Sequence, residues 1–232
     1  MITESDALRS PGRVCSPDPR TLDFSVIDNE SGLTRQRSLD DQHAAVADFV
    51  LNAKVPGEIA IHFETAKNLY LYAWFVFRFY PVAEQQAFAS LEFALRERQS
   101  EFVASYRSKH RDREPGLGAL LKNAIEAELV RNEAFRARER WALRRACARF
   151  DLEITKKMAD EGLKSMVVDY SEVQPTEEDL SHDWLKDFLD AIPYIRNVHA
   201  HGSGMLYHTV LHTFEVVTEL INQLYPVPSD AV

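Results

Sequence analysis

The sequence predicts an all-α fold, and three observations carry that prediction. Glycine is scarce, with eight in 232 residues. Long tracts are dominated by Ala, Leu, Glu and Arg, which lose little on entering a helix. Beyond residue 38, apolar side chains recur at spacings of three and four, the period that lines up one face of a helix.

Element by element, residues 1–37 carry Pro11, Gly12, Pro17, Pro19 and Gly32 without a sustained period. They read as a loosely ordered N-terminal arm from which Phe24, Val26 and Ile27 dock as a short extended piece. Ser38 is placed to cap a helix over 40–52, with acids in its first turn where the dipole favours them. Pro56-Gly57 breaks it. A second helix over 58–80 becomes almost wholly apolar toward its end and should be central to the core. Pro81 is expected to open a long third helix to about 112, with Phe88, Leu91, Leu95 and Phe102 on one seam.

Glu114-Pro115-Gly116 stops that helix. Leu117, Leu120, Leu121, Ala124 and Ile125 then define a fourth, to about 130. An arginine-rich fifth helix follows, with Phe135, Ala142, Ala146 and Phe150 as its apolar stripe. Residues 151–175 are less regular, and Met166-Val167-Val168 reads as a loop or a short strand. Ser181 is the expected cap of a helix carrying Trp184, Phe188, Ile192, Ile195 and His199, which Pro193 should kink. Gly202-Ser203-Gly204 ends it. The final helix carries Leu206, Val210, Phe214, Val217, Ile221 and Leu224, and Pro226 and Pro228 close it. The expected core includes Trp74, Phe88, Leu91, Leu121, Phe188, Ile192 and Phe214. Everything over 38–232 is read as a single helical domain.

The totals exclude several classes. A net charge of −9 argues against a general nucleic-acid coat. The apolar run 69–77 meets Arg78 too soon to cross a bilayer, so no membrane partner is expected. The chain start lacks a secretory pattern, and Cys15 and Cys147 have no partner spacing for zinc or a disulfide framework. A reducing cytoplasm is the simplest reading.

The chemistry concentrates in Ile195-Arg196-Asn197-Val198-His199-Ala200-His201-Gly202. A guanidinium can grip a phosphate with its planar fork, and an imidazole can move a proton near neutral pH. On a helix Asn197 and His201 share a face, and the long Arg196 stem can bring its guanidinium round to the same side. The arrangement is compatible with phosphoryl chemistry that needs no metal and no cofactor. Structural readings stand beside it: Arg196 could bond terminal carbonyls, His201 could simply cap the turn, and His199, on the apolar seam, reads as a core histidine.

This Arg-Asn-x-x-x-His stretch between two amphipathic helices resembles the signature of the HEPN superfamily, many of whose members are RNases. The resemblance spans 181–225 and, less specifically, 84–130; it leaves out the first 80 residues. It implies an up-and-down helical bundle with extra N-terminal helices and a groove where two protomers meet. It further implies Arg196 on the scissile phosphate, His201 as general base or acid for attack by the 2′-hydroxyl, and Asn197 orienting one of them. Glu92 would be the acid that supports the arginine, or else simply an exposed helix glutamate. A homodimer, an RNA substrate, and an antitoxin or regulatory protein are the partners implied, in a toxin or defence setting. Where some HEPN toxins are silenced through a tyrosine two residues past the histidine, this chain has Ser203.

Two further readings complete the set. Seven arginines between 131 and 149, among them Arg138, Arg144 and Arg145, could form a strip that holds RNA phosphates, or a solvated face paired within the chain. His208 and His212 are spaced for a metal, but no Cys, Asp or Glu joins them at a ligand-like spacing, so no metal site is expected. Neither close glycine pair, Gly116/Gly118 or Gly202/Gly204, is followed by the lysine of a phosphate loop. The rival to an endoribonuclease is a non-catalytic HEPN-like module that dimerises and binds a nucleotide, RNA or protein. A plain helical scaffold is the third reading.

Overall fold

The computed structural model describes residues 4–28, 32–200 and 210–227. Among the described residues helix accounts for 64%, against one two-stranded sheet, so the fold is all-α. In chain order the helices are α1 (Leu39–Ala47), α2 (Gly57–Tyr72), α3 (Phe79–Arg98), α4 (Ser100–Lys109) and α5 (Leu117–Glu126). They continue as α6 (Arg138–Glu161), α7 (Glu177–Leu180), α8 (Trp184–Ala200) and α9 (Leu211–Leu224). Two compact units emerge: Met1–Val130 with Leu189–Val232, and Arg131–Phe188. The boundary between them falls inside α8.

In the first unit α2 and α3 pack along one another, α9 lies on α3 and reaches α1, and α5 packs on α3. Phe214 of α9 is fully buried, with ring centroids of Phe63 and Tyr70 each at 5.8 Å and Phe49 at 6.2 Å. All seven expected core residues are buried. Ser38 caps α1 as expected. Its hydroxyl accepts from the Asp41 amide, and the Asp41 carboxylate accepts from the Ser38 amide, so two orphan donors are satisfied reciprocally.

Several boundaries differ from the sequence-based expectation, each for a local reason. The second helix stops at Tyr72, and turns occupy 73–78. The long third helix breaks at Gln99, whose backbone leaves helical geometry (φ −120°, ψ 38°). Its buried amide donates to the Leu120 carbonyl and accepts from Asn123, a tertiary bridge to α5 that periodicity cannot reveal. Ser181 does not start α8; it follows α7. The capping box lies earlier, at Thr176 and Asp179. The arginine-rich helix runs on to Glu161 and is closed by Gly162 in the left-handed region (φ 66°), a conformation glycine adopts without cost. Residues 166–168 are loop.

The arm carries more local structure than one short extended piece. Three 3-10 turns (Glu4–Asp6, Pro11–Arg13, Pro19–Asp23) lead into a hairpin of β1 (Ser25–Ile27) and β2 (Thr34–Gln36), antiparallel with Val26 opposite Arg35. Asp18 and Thr21 are buried against the turn that joins α2 to α3. Polar groups do the fastening, and a reading based on apolar periodicity passes over them.

The second unit is built on four rings. Trp141 is nearly inaccessible, with Phe135 at 5.1 Å, Trp184 at 5.3 Å and Phe188 at 5.5 Å between centroids. Asn132 clasps the start of α8: its side chain donates to Asp183 and accepts from the Leu185 amide.

Candidate functional site

The first residues of the motif lie at the C-terminal end of α8. The first part of that helix is fixed by Trp184, Leu185, Phe188 and Ile192, all buried. Pro193 lies inside the helix and costs it one backbone donor. Its ring is accommodated by Gly118 at the start of α5: a Cβ there would stand 3.2 Å from Pro193 Cγ. The small residue lets the two helices approach, so α5 helps seat the stretch that leads into the motif. The sequence reading weighed Gly118 only as part of a phosphate loop and missed this packing role.

Arg196, Asn197 and His199 lie in the last turns of α8. The side chains of 196–200, and residues 201–209 with His201, Ser203 and His208, lie outside the described residues. The roles assigned to Arg196, Asn197 and His201 therefore rest on the sequence.

Glu92, the expected supporting acid, is half-buried on α3 and accepts a hydrogen bond of 2.7 Å from Arg96 one turn on. Arg96 also donates to Glu114 and to the Pro115 carbonyl, both at 2.7 Å, and Arg107 joins the same Glu114. This network ties α3 to the turn that starts α5.

A different carboxylate is buried more deeply. Glu84 on α3 is only 4% exposed and accepts from the Thr213 hydroxyl at 2.5 Å. Glu215, 6% exposed, stands 3.4 Å from Nδ1 of the half-exposed His212. Glu84 falls four residues before Phe88, on the seam that continues through Leu91 and Leu95. A carboxylate on an apolar seam was the signal that could have found it, since buried charges are kept only where they are satisfied.

The arginine tract divides. Arg149 forks onto Asp179 (2.8 and 2.7 Å), and Arg145 Nε stands 3.5 Å from the same carboxylate. Arg138 donates to the Leu180 carbonyl. Arg149, and then the Thr176 amide, hold the Asp179 carboxyl well below the usual carboxylate range. Two of the three arginines proposed for RNA, Arg138 and Arg145, are thus engaged within their own unit. Arg144 is exposed on α6.

Among the described residues no group of three or more metal-binding side chains converges, and no helix is long and apolar enough to cross a membrane. No family model, curated protein or solved structure matches the chain.

Proposed function

We propose that this chain is a HEPN-like helical protein with metal-independent endoribonuclease activity, its site formed by Arg196, Asn197 and His201. One observation supports the reading: the Arg-Asn-x-x-x-His stretch begins in the last turns of one amphipathic helix, α8, and a second, α9, follows in the chain. In this scheme Arg196 grips the scissile phosphate and offsets the charge that grows on it during in-line attack. His201 draws the proton from the 2′-hydroxyl or delivers one to the leaving 5′-oxygen, and Asn197 orients one of its neighbours. The products are a 2′,3′-cyclic phosphate and a 5′-hydroxyl. A homodimer supplies the groove, and an antitoxin or other regulatory protein restrains it. The deciding experiment is incubation of the purified chain with single-stranded RNA and with the matching DNA in EDTA. Cleavage of the RNA alone, ending in the cyclic phosphate, is the expected result.

A non-catalytic module that dimerises and binds a nucleotide, RNA or protein is the second reading. The engagement of Arg138 by the Leu180 carbonyl and of Arg145 by Asp179, both on α7, favours its non-catalytic character, because two guanidinia offered for gripping a substrate RNA are drawn to groups of their own unit. RNA or nucleotide binding without cleavage under the same conditions would select this reading.

A further inference from the structure

The N-terminal arm combines two properties seldom found together: it is well connected internally, and it is held to the helices almost without apolar burial. Among its described residues only Asp18 and Thr21 are buried. Leu8, Ile27 and Leu33, which could have anchored it, are 102%, 70% and 69% exposed. The hydrophobic term that fastens most elements is therefore small here.

Its internal bonds are numerous. Arg9 donates to the Ser16 carbonyl, Arg20 reaches both Asp6 and Asp18, and Gln36 donates to the Leu22 carbonyl. Asp28 and Arg37 amides pair with the Leu33 and Phe24 carbonyls. These contacts make residues 4–28 and 32–37 a body of their own.

Attachment to the helices converges on one carboxylate. Asp18 Oδ2 accepts from the Phe77 amide at 3.2 Å, the Asp18 amide donates to the Trp74 carbonyl at 3.0 Å, and Thr21 shares that carbonyl. Arg20, forked onto Asp18, lies 5.0 Å over the Phe77 ring. The remaining ties are peripheral: Asp6 with Arg78, Phe24 beside Phe77, Arg37 on the Tyr70 hydroxyl, and Arg35 on Asp41. A cavity of about 280 Å³ remains between Leu8, Val14 and their neighbours on the arm and Val76 and Arg78 on the turn.

We propose that residues 4–28 and 32–37 are a strap latched by Asp18 to the α2–α3 turn, opening and closing as one body while the helices stay folded. Opening frees the Phe77 amide and uncovers the Phe77 ring and the Trp74 backbone. The capping box of Ser38 and Asp41 keeps the start of α1 intact, which places the pivot just ahead of it. Segments with little buried apolar contact and polar attachments open at the low end of the local free-energy range.

Amide hydrogen exchange of the full chain at neutral pH tests this. The amides of Asp18 and Phe77, which bond across the contact, should exchange at one common rate, well above that of 87–95 in α3 and 214–221 in α9. Asp18→Ala should raise that common rate about tenfold or more, the scale of losing a charge-assisted hydrogen bond, and leave the α3 and α9 amides unchanged. Arm amides as slow as those of α3, rates scattered over unrelated values, or an acceleration spread through the whole molecule would each overturn the strap. Should Asp18→Ala fail to fold, Arg20→Ala removes the fork and keeps the Phe77 cap. Its acceleration must then be confined to the arm and residues 73–78, and any wider spread counts against the latch.

Discussion

Arg149 grips Asp179 through two parallel hydrogen bonds, on a carboxylate that solvent does not reach. The same carboxylate closes the capping box of α7, accepting from the amide and the hydroxyl of Thr176. One side chain thus ends a loop, starts a short helix and fastens it to α6. A four-residue helix has no independent stability, so the tertiary fork is what maintains α7.

The fork makes the second unit acid-sensitive. Arg149 first, then the Thr176 amide, lower the Asp179 pKa in the folded state. A depressed carboxyl contributes its full stabilisation above the unfolded value, about 4, and loses it as pH falls through the folded one. Tryptophan fluorescence, to which Trp141 and Trp184 report from this unit, should show a step beginning near pH 4 and deepening below it. Asp179→Asn should remove that step and leave the unit less stable at neutral pH. Identical acid profiles for the two proteins would refute the assignment.

Glu84 and Thr213 form the second relationship open to test. Thr213→Val keeps the shape of the side chain and removes the donor, leaving a carboxylate that is 4% exposed with one hydrogen bond fewer. A loss of about 1–3 kcal/mol is expected, read as a lower urea midpoint with an unchanged slope. The exposed Thr65→Val, whose hydroxyl bonds only its own helix at Ile61, should cost far less. Equal losses for the two would mean that the Glu84 bond carries no special weight.

What the sequence made legible follows from which forces are periodic. Apolar seams have a period, so Phe88, Leu91, Phe214 and Ile192 were found in the core, and the Ser38 cap was found because its partner lies three residues on. The break at Gln99, the true start of α8 and the seat of Asp18 were not found. Each depends on a polar side chain reaching a backbone group brought near only by the fold. The motif was legible as a string of residue types. Along α9, Glu215, Val216, Thr218 and Leu220 are buried together with the seam, whereas His212 stays half-exposed.

Gly118 and Pro193 provide a prediction about how the motif-bearing end of α8 is seated. A methyl group at residue 118 would meet the Pro193 ring at 3.2 Å, tighter than ordinary contact. Gly118→Ala gains about 1 kcal/mol of helix propensity and loses a similar amount to crowding, so its stability should stay near that of the parent. Gly118→Leu has no such balance and should cost about 1–3 kcal/mol through overpacking. Thermal unfolding of the two variants checks this. A Leu variant as stable as the parent would show that α5 and α8 do not need the close approach.

The functional proposal makes its sharpest prediction on three residues of the motif. If His201 moves the proton, His201→Ala should lower RNA cleavage by about 10²–10⁴-fold, the range for one general acid–base group. Arg196→Ala should fall comparably, by removing the charge that stabilises the pentacoordinate phosphorus, and Arg196→Lys should recover only part because an ammonium cannot fork. His199→Ala should chiefly lower the melting temperature and leave the turnover of the folded fraction within a few-fold of the parent. The substitutions therefore separate chemistry from packing on adjacent positions. RNA cleavage that persists undiminished in His201→Ala would assign the activity to another site or a contaminant. Retained RNA binding with no cleavage in the parent protein would instead move the assignment to the binding module.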